Sequence, residues 1–259
     1  MIQPLMNFED EVFSKFPEIK EARLCANQQN YNLASELYSD FLNKLSEKGF
    51  KQDDPLMCYI YIEYASALIE SAALFFVEEL EMLANCKSTS ASRKAEKEDD
   101  LEIAWNILEI AKLVFLELDD KENLLRIYFL LGEIQVLNNQ FDDAIAEYNN
   151  CYEILIATSK SPTNKMSECL WKIATCYEFM KNYEEACKCL NKIIALYEKS
   201  KEELGDKADQ LIQEIKEKLE DFDHLAEIKK HKSQDKTPIK PMIDDNVVID
   251  INKFKKKKN

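Results

Sequence analysis

Glycine is the scarcest structural residue in this 259-residue chain: Gly49, Gly132 and Gly205 are the only three, beside six prolines. A multi-stranded sheet needs tight turns rich in glycine, so this scarcity excludes most all-β designs and favours long helices. Histidine is scarcer still. His224 and His231 both lie near the C-terminus, which removes most triad and general-base schemes that depend on imidazole. No glycine-rich phosphate loop is present. No apolar run reaches the length of a membrane span; Ala72–Val77 is apolar but short. The start, MIQPLMNFEDEVF, lacks the basic and apolar segments of a secretory leader, so a reducing compartment is expected.

Cysteine, by contrast, is plentiful. Cys25, Cys58, Cys86, Cys151, Cys169, Cys176, Cys187 and Cys189 are scattered, as small residues buried in a reducing environment would be. Cys187 and Cys189 have no second pair at zinc-like spacing, so neither metal nor cofactor is expected. The formal net charge is −15. Residues 227–259 carry ten lysines against five acids, leaving a body with 24 basic and 44 acidic residues. Such a body repels nucleic acid and favours a basic partner.

Aligning the chain on itself shows three segments that match without gaps. Each has a small residue and an alanine twelve positions later: Ala22 and Ala34, Gly132 and Ala144, Ala174 and Ala186. An aromatic precedes each second alanine by three (Tyr31, Phe141, Tyr183), after a polar turn residue (Asn30, Gln140, Asn182). Small residues at two such points let a pair of helices cross closely. The pattern resembles the tetratricopeptide repeat. A fourth match is split. Tyr61, Tyr64, Ala65 and Leu68 fit a first helix, but the second helix appears only at Leu101–Lys112, displaced by 27 residues.

The expected fold is therefore all-α: a superhelix of four repeats, the second interrupted, closed by a C-terminal capping helix. Helices are predicted at 8–28, 31–47, 54–84, 99–118, 121–138, 141–159, 163–180, 183–200 and 203–230. The repeat domain spans 1–231. Its interruption covers about 70–100, with a flexible polar loop at 86–99. Residues 232–259 read as a disordered basic tail, in which Val247–Ile249 is a weak candidate strand. Its Lys253, Lys255, Lys256, Lys257 and Lys258 are candidates for a nuclear-import signal. Trp105, next to the crossing residue Ala104, is expected in the core.

The run DLEIAWNILEIAK, the Leu-Gly-Glu at 131–133 and Tyr64–Glu70 before the insertion occur in the order found in the interrupted-repeat proteins of the nuclear autoantigenic sperm protein family, which this chain resembles over about residues 8–230. The resemblance implies a histone chaperone of nucleus and cytoplasm that binds histone H3, alone or with histone H4, with binding of other histones left open. It implies no catalysis. In the family the insertion is long and acidic; here residues 87–100 balance Lys87, Arg93, Lys94 and Lys97 against four acids. Any function that needs an acidic tract is thereby weakened.

The inner face of a repeat superhelix is lined by the first helix of each repeat. Register places Arg126, Phe129, Glu133 and Val136 there in repeat three, Glu168, Trp171, Thr175 and Glu178 in repeat four, and Tyr59, Ile62, Ser66, Ile69 and Glu70 in repeat two. The resemblance implies that Glu133 and Glu168 are acidic channel positions and that Trp171 is an aromatic one. Histone-binding candidates are thus Tyr59, Glu70, Phe129, Glu133, Glu168, Trp171 and Glu178. Carboxylates beside rings suit the arginines of a basic helix. The other open reading is a general adaptor that grips peptide segments of another protein; the acidic lining disfavours a C-terminal carboxylate. Neither reading involves nucleic acid or membrane, and a homodimer is left open.

Overall fold

The computed structural model of the chain describes residues 8–85, 91–158 and 163–234. Among these the helices are α1 (Phe8–Lys15), α2 (Ile19–Asn27), α3 (Tyr31–Glu47), α4 (Pro55–Ala84), α5 (Ala91–Glu117), α6 (Lys121–Leu137), α7 (Phe141–Ala157), α8 (Thr163–Phe179), α9 (Tyr183–Lys199), α10 (Lys201–Leu204) and α11 (Asp206–Gln234). From α2 to α9 each packs mainly on its neighbour in sequence, while α1 lies against α4 and α11 against α9. That pattern is the one-dimensional stacking of a solenoid.

The small residues found in the sequence sit at the helix crossings. Ala34, Ala65, Ala104, Ala144 and Ala186 are all 0% exposed. Four of the links between helices share one turn, built without glycine. Gln29, Asp119, Asn139 and Lys181 take positive φ, between 53° and 61°. The next residue in each link donates its N–H back to the last turn of the preceding helix: Asn30 to Cys25, Asp120 to Phe115, Gln140 to Gln135 and Asn182 to Tyr177, at 2.8–3.0 Å. This satisfies helix-end carbonyls in the manner of a Schellman turn. Asp120 also caps α6 through Asn123 N–H at 3.0 Å, and Asp54 caps α4 through Leu56 N–H at 2.9 Å, with Pro55 in the first turn.

Four expectations change. The single helix predicted at 8–28 is two, because Pro17 lacks an N–H and disfavours helix at Phe16. The loop predicted at 86–99 is helical from Ala91 onward, making α4 and α5 one long antiparallel hairpin. Polarity alone suggested a loop, but Ala, Arg, Lys and Glu there are good helix formers. Tertiary contacts complete the helix: Lys97 is buried, its Nζ 2.8 Å from Asp100 and 3.3 Å from Asn32 at the start of α3. Lys94 pairs with Glu79 at 3.6 Å, and the Arg93 guanidinium lies 5.2 Å from the Phe75 ring centre. The last predicted helix is broken at Gly205, φ 58°, and α11 runs on to Gln234. Trp105 is 42% exposed rather than core; Ala104 faces inward, and the next residue on a helix turns about 100° away.

Helix α4 is long and apolar enough, by length and composition, to cross a membrane, although no unbroken apolar run marks it in the sequence. Its most apolar window is 56% buried inside the protein, so core packing accounts for its composition. Residues 86–90 of the predicted loop, the tail from 235 with its five candidate lysines, and Val247–Ile249 lie outside the described residues.

Candidate binding groove

The inner face is built by α2, α4, α6 and α8, continued by α11. Its charges form a ladder between successive helices. On α4, Glu63 meets Arg126 of α6 and lies 3.3 Å from Arg23 Nε of α2. On α6, the Glu133 carboxylate is held by Lys172 of α8 at 2.7 and 2.8 Å and accepts the Tyr148 hydroxyl. On α8, Glu178 meets Lys218 of α11 at 2.9 Å.

Each cation of the ladder also lies over a ring of the preceding helix. Arg126 is 5.3 Å from the Tyr59 ring centre, Lys172 is 5.5 Å from Phe129 and Lys218 is 5.6 Å from Trp171. The unit is therefore an aromatic and an acid on one helix with a cation from the next, in cation–π range.

The rungs differ in burial. Glu63 is 11% exposed and has two arginines. Burial by itself would lower the Arg126 guanidinium, but adjacent Glu63 outweighs it and the group is held above its ordinary value. This rung clasps repeats one, two and three. Glu133 is 24% exposed and Lys172 35%, so solvent screens that pair and it is worth on the order of 1 kcal/mol or less. Tyr148 is buried; its hydroxyl is pushed strongly up by burial and by Glu133, and stays a donor.

Between α6, α7 and α8 the groove deepens into a pocket of about 230 Å³. Leu125, Phe129, Leu130, Cys151, Leu155 and Cys169 form its apolar wall, with Arg126, Lys165 and Glu168 as its charged lining. A second, open hollow of about 550 Å³ runs between α8 and α11, past Glu168, Trp171 and Lys172. Glu168 and Lys165 have no ion-pair partner among the described residues, and Trp171 is 40% exposed.

The structure thus gathers Phe129, Glu133, Glu168, Trp171 and Glu178 along α6 and α8. Tyr59 is buried beneath Arg126 and serves the clasp. Glu70 is exposed, but its charge acts on Tyr31 at the head of α3, away from the pocket lining. Of the acidic lining expected from sequence, Glu133 and Glu178 are charge-paired, because α8 and α11 supply lysines that helix register on α6 could not foretell, while Glu168 has no ion-pair partner among the described residues. Glu63, Lys165, Lys172 and Lys218 were missed. A signal for Glu63 existed: it follows Tyr59 by four residues, as Glu133 follows Phe129. Among the described residues no group of three or more His, Cys, Asp or Glu could hold a metal.

Residues 125–154 and 168–200 match models of the tetratricopeptide repeat. The fold is that of a tetratricopeptide-repeat protein. In sequence the chain is similar to the nuclear autoantigenic sperm proteins: 27% identical over 107 residues to that of Bos taurus and 26% over 106 residues to that of Homo sapiens. The similarity covers 40% of this chain and 14% of those relatives. Among solved structures, the yeast histone chaperone Hif1, described as a scaffold recruiting protein complexes to core histones, superposes with a TM-score of 0.55 at 16% identity, over 83% of this chain and 96% of that one. A set of nearly identical TPR-like repeats from Podosopora anserina gives 0.52 at 17% identity, over 81% and 93%.

Proposed function

We propose that this chain is a histone chaperone acting in the nucleus and cytoplasm, which binds and shields histone H3, alone or with histone H4, to supply nucleosome assembly. It works by binding, not catalysis. Similarity to the nuclear autoantigenic sperm proteins and the shared fold with a yeast histone chaperone support the reading. The observation that carries it is on α8: Glu168, with no ion-pair partner among the described residues, lines both open hollows of the groove, and exposed Trp171 lines the second.

A basic amphipathic helix fits this arrangement. An apolar side chain enters the pocket beside Phe129 and Leu155 while arginines reach Glu168 and Glu133. Capture at Glu133 requires exchange with Lys172, which is inexpensive for a screened pair. Arginine gains from the exchange, since its fork bonds a carboxylate at two points where lysine offers one centre. Glu63 is too enclosed to exchange and keeps the superhelix in shape. The acidic body attracts a basic partner from a distance, and added salt weakens that attraction.

Recombinant H3–H4 is expected to bind the full chain at moderate salt. Glu168→Lys combined with Trp171→Ala should weaken binding at least about tenfold with the circular dichroism spectrum unchanged. Glu133→Gln is the milder companion, because a lysine there would repel Lys172 and strand the Tyr148 hydroxyl. No binding by the parent chain, or equal binding by the double variant, rejects the reading.

A second reading, an adaptor for acidic C-terminal peptides, draws on Lys165, which lines the pocket and has no ion-pair partner among the described residues. Titration of such a peptide beside H3–H4, with Lys165→Glu as the variant, separates the two: the adaptor predicts peptide binding lost in that variant and no uptake of histone.

A further inference from the structure

Two thiols stand together in the wall of the groove pocket. Cys151 comes from α7 and Cys169 from α8, so they bridge the joint between repeats three and four. Neither is in a disulfide. Both belong to one buried cluster, and the Cys151 S–H donates to the Leu125 carbonyl oxygen at 3.6 Å. Around them lie Leu155 and the partly buried Phe129, Leu125 and Tyr152, a small apolar cluster that opens into the pocket.

Cys169 differs from the other buried cysteines and Cys151 does not: the Cys151 thiol is pushed strongly up, by Cys169 and by burial. Burial pushes the Cys58 thiol up to about 12 and the Cys176 thiol up to about 11; burial also raises Cys187 and Cys189. Such thiols stay protonated and inert. At Cys169 the neighbouring Cys151 thiol outweighs burial, and the group is held below its ordinary value. Cys169 therefore has a second thiol in its own cluster and a pocket beside both.

We infer that Cys151 and Cys169 are an oxidisable dithiol, which a hydroperoxide converts to a disulfide between α7 and α8. The Cys169 thiolate attacks the peroxide oxygen, breaking the O–O bond and forming a sulfenic acid with release of alcohol or water. The Cys151 sulfur then attacks the Cys169 sulfur, an S–S bond forms and water leaves. Two thiols lose two electrons and two protons, and the hydroperoxide is reduced to an alcohol and water. A disulfide brings the sulfurs to about 2.05 Å, draws the two helices together and reshapes the pocket. Regulation of partner binding by this step rests on the histone reading above.

The test uses the full chain, folded, treated with hydrogen peroxide and then alkylated. Trypsin leaves Cys151 alone in residues 127–160 and Cys169 alone in residues 166–172. The expected product is these two peptides joined, about 2 Da lighter than their reduced sum and separated by dithiothreitol. Cys169→Ser and Cys151→Ser should abolish it, and Cys58→Ser should not. If both thiols remain alkylatable, or Cys169 goes to sulfinic acid without linkage, the dithiol is rejected. Affinity for H3–H4 is then measured on both forms. Several-fold weaker binding by the oxidised chain, reversed by reduction and absent in Cys151→Ser, supports regulation; equal affinity rejects it. Failure of the reduced chain to bind histone rejects the partner reading, while the peptide map still decides the dithiol.

Discussion

Gly132 is small because Tyr148 fills the space a side chain would need. A Cβ there would lie 2.5 Å from Tyr148 Cε1, and the ring cannot easily withdraw, since it is buried and its hydroxyl is bonded to Glu133. Gly132→Ala therefore sets a helix-propensity gain of about 1 kcal/mol against an overpacking penalty of about 1–3 kcal/mol. The clash is expected to win. Urea denaturation should show a net loss, and a more stable variant would mean that α6 and α7 can part at little cost. The sequence marked this position by its spacing to Ala144, but nothing in the spacing showed that the tenant of the gap is the tyrosine that positions Glu133. Likewise Gln29 stands exposed in the left-handed region that usually calls for glycine, which no pattern of apolar residues could announce.

The α4–α5 hairpin shows the same division for a whole element. Splitting of the second repeat was legible, because Ala65 and Ala104 kept the crossing pattern across the insertion. Helical structure at Ala91–Asp100 was not, because it is completed by Lys97, Asp100, Asn32 and Ser71, which lie far apart in sequence; Ser71 donates to Asn32 at 2.7 Å. Lys97→Met keeps much of the buried stem and removes the ammonium group. We expect about 1–2 kcal/mol of destabilisation, from a charge-assisted bond lost and an Asp100 carboxylate left with less company. Hydrogen exchange should quicken over residues 91–100 and stay unchanged in α8 and α9, which do not touch this cluster. Unchanged exchange at 91–100 would show that intrinsic helix propensity, not the buried lysine, holds the extension.

At the scale of the molecule, burial of ionisable core groups links stability to alkaline pH. Tyr38, Tyr59, Tyr61, Tyr64 and Tyr148 are all raised above the ordinary 10.0, first by burial, and Cys58 and Cys176 are raised above 9.0. A raised folded-state value means that the native chain keeps protons the unfolded chain has already lost. Stability from these groups is fully present below the unfolded values and declines as pH rises through them. The urea midpoint should therefore hold between pH 7 and 8.5, fall from about pH 9 as unfolded thiols ionise, and fall more steeply above about pH 10 with the tyrosines. Tyr148→Phe should reduce the alkaline slope. A midpoint flat to pH 10.5 would contradict the burial of these hydroxyls and thiols.

The sequence by itself determined the helical class, the four crossings, the interruption and the helices that line the groove. These follow from periodicity and residue size, which act between near neighbours along the chain. Only the tertiary structure decided how the charges of that lining are paired. Glu133 and Glu178 occupy the expected helix, yet their lysines arrive from the next one, 39 and 40 residues later. Ion pairs and thiol contacts across a superhelix depend on how far each repeat is rotated on the last, and that rotation is written in packing rather than in spacing.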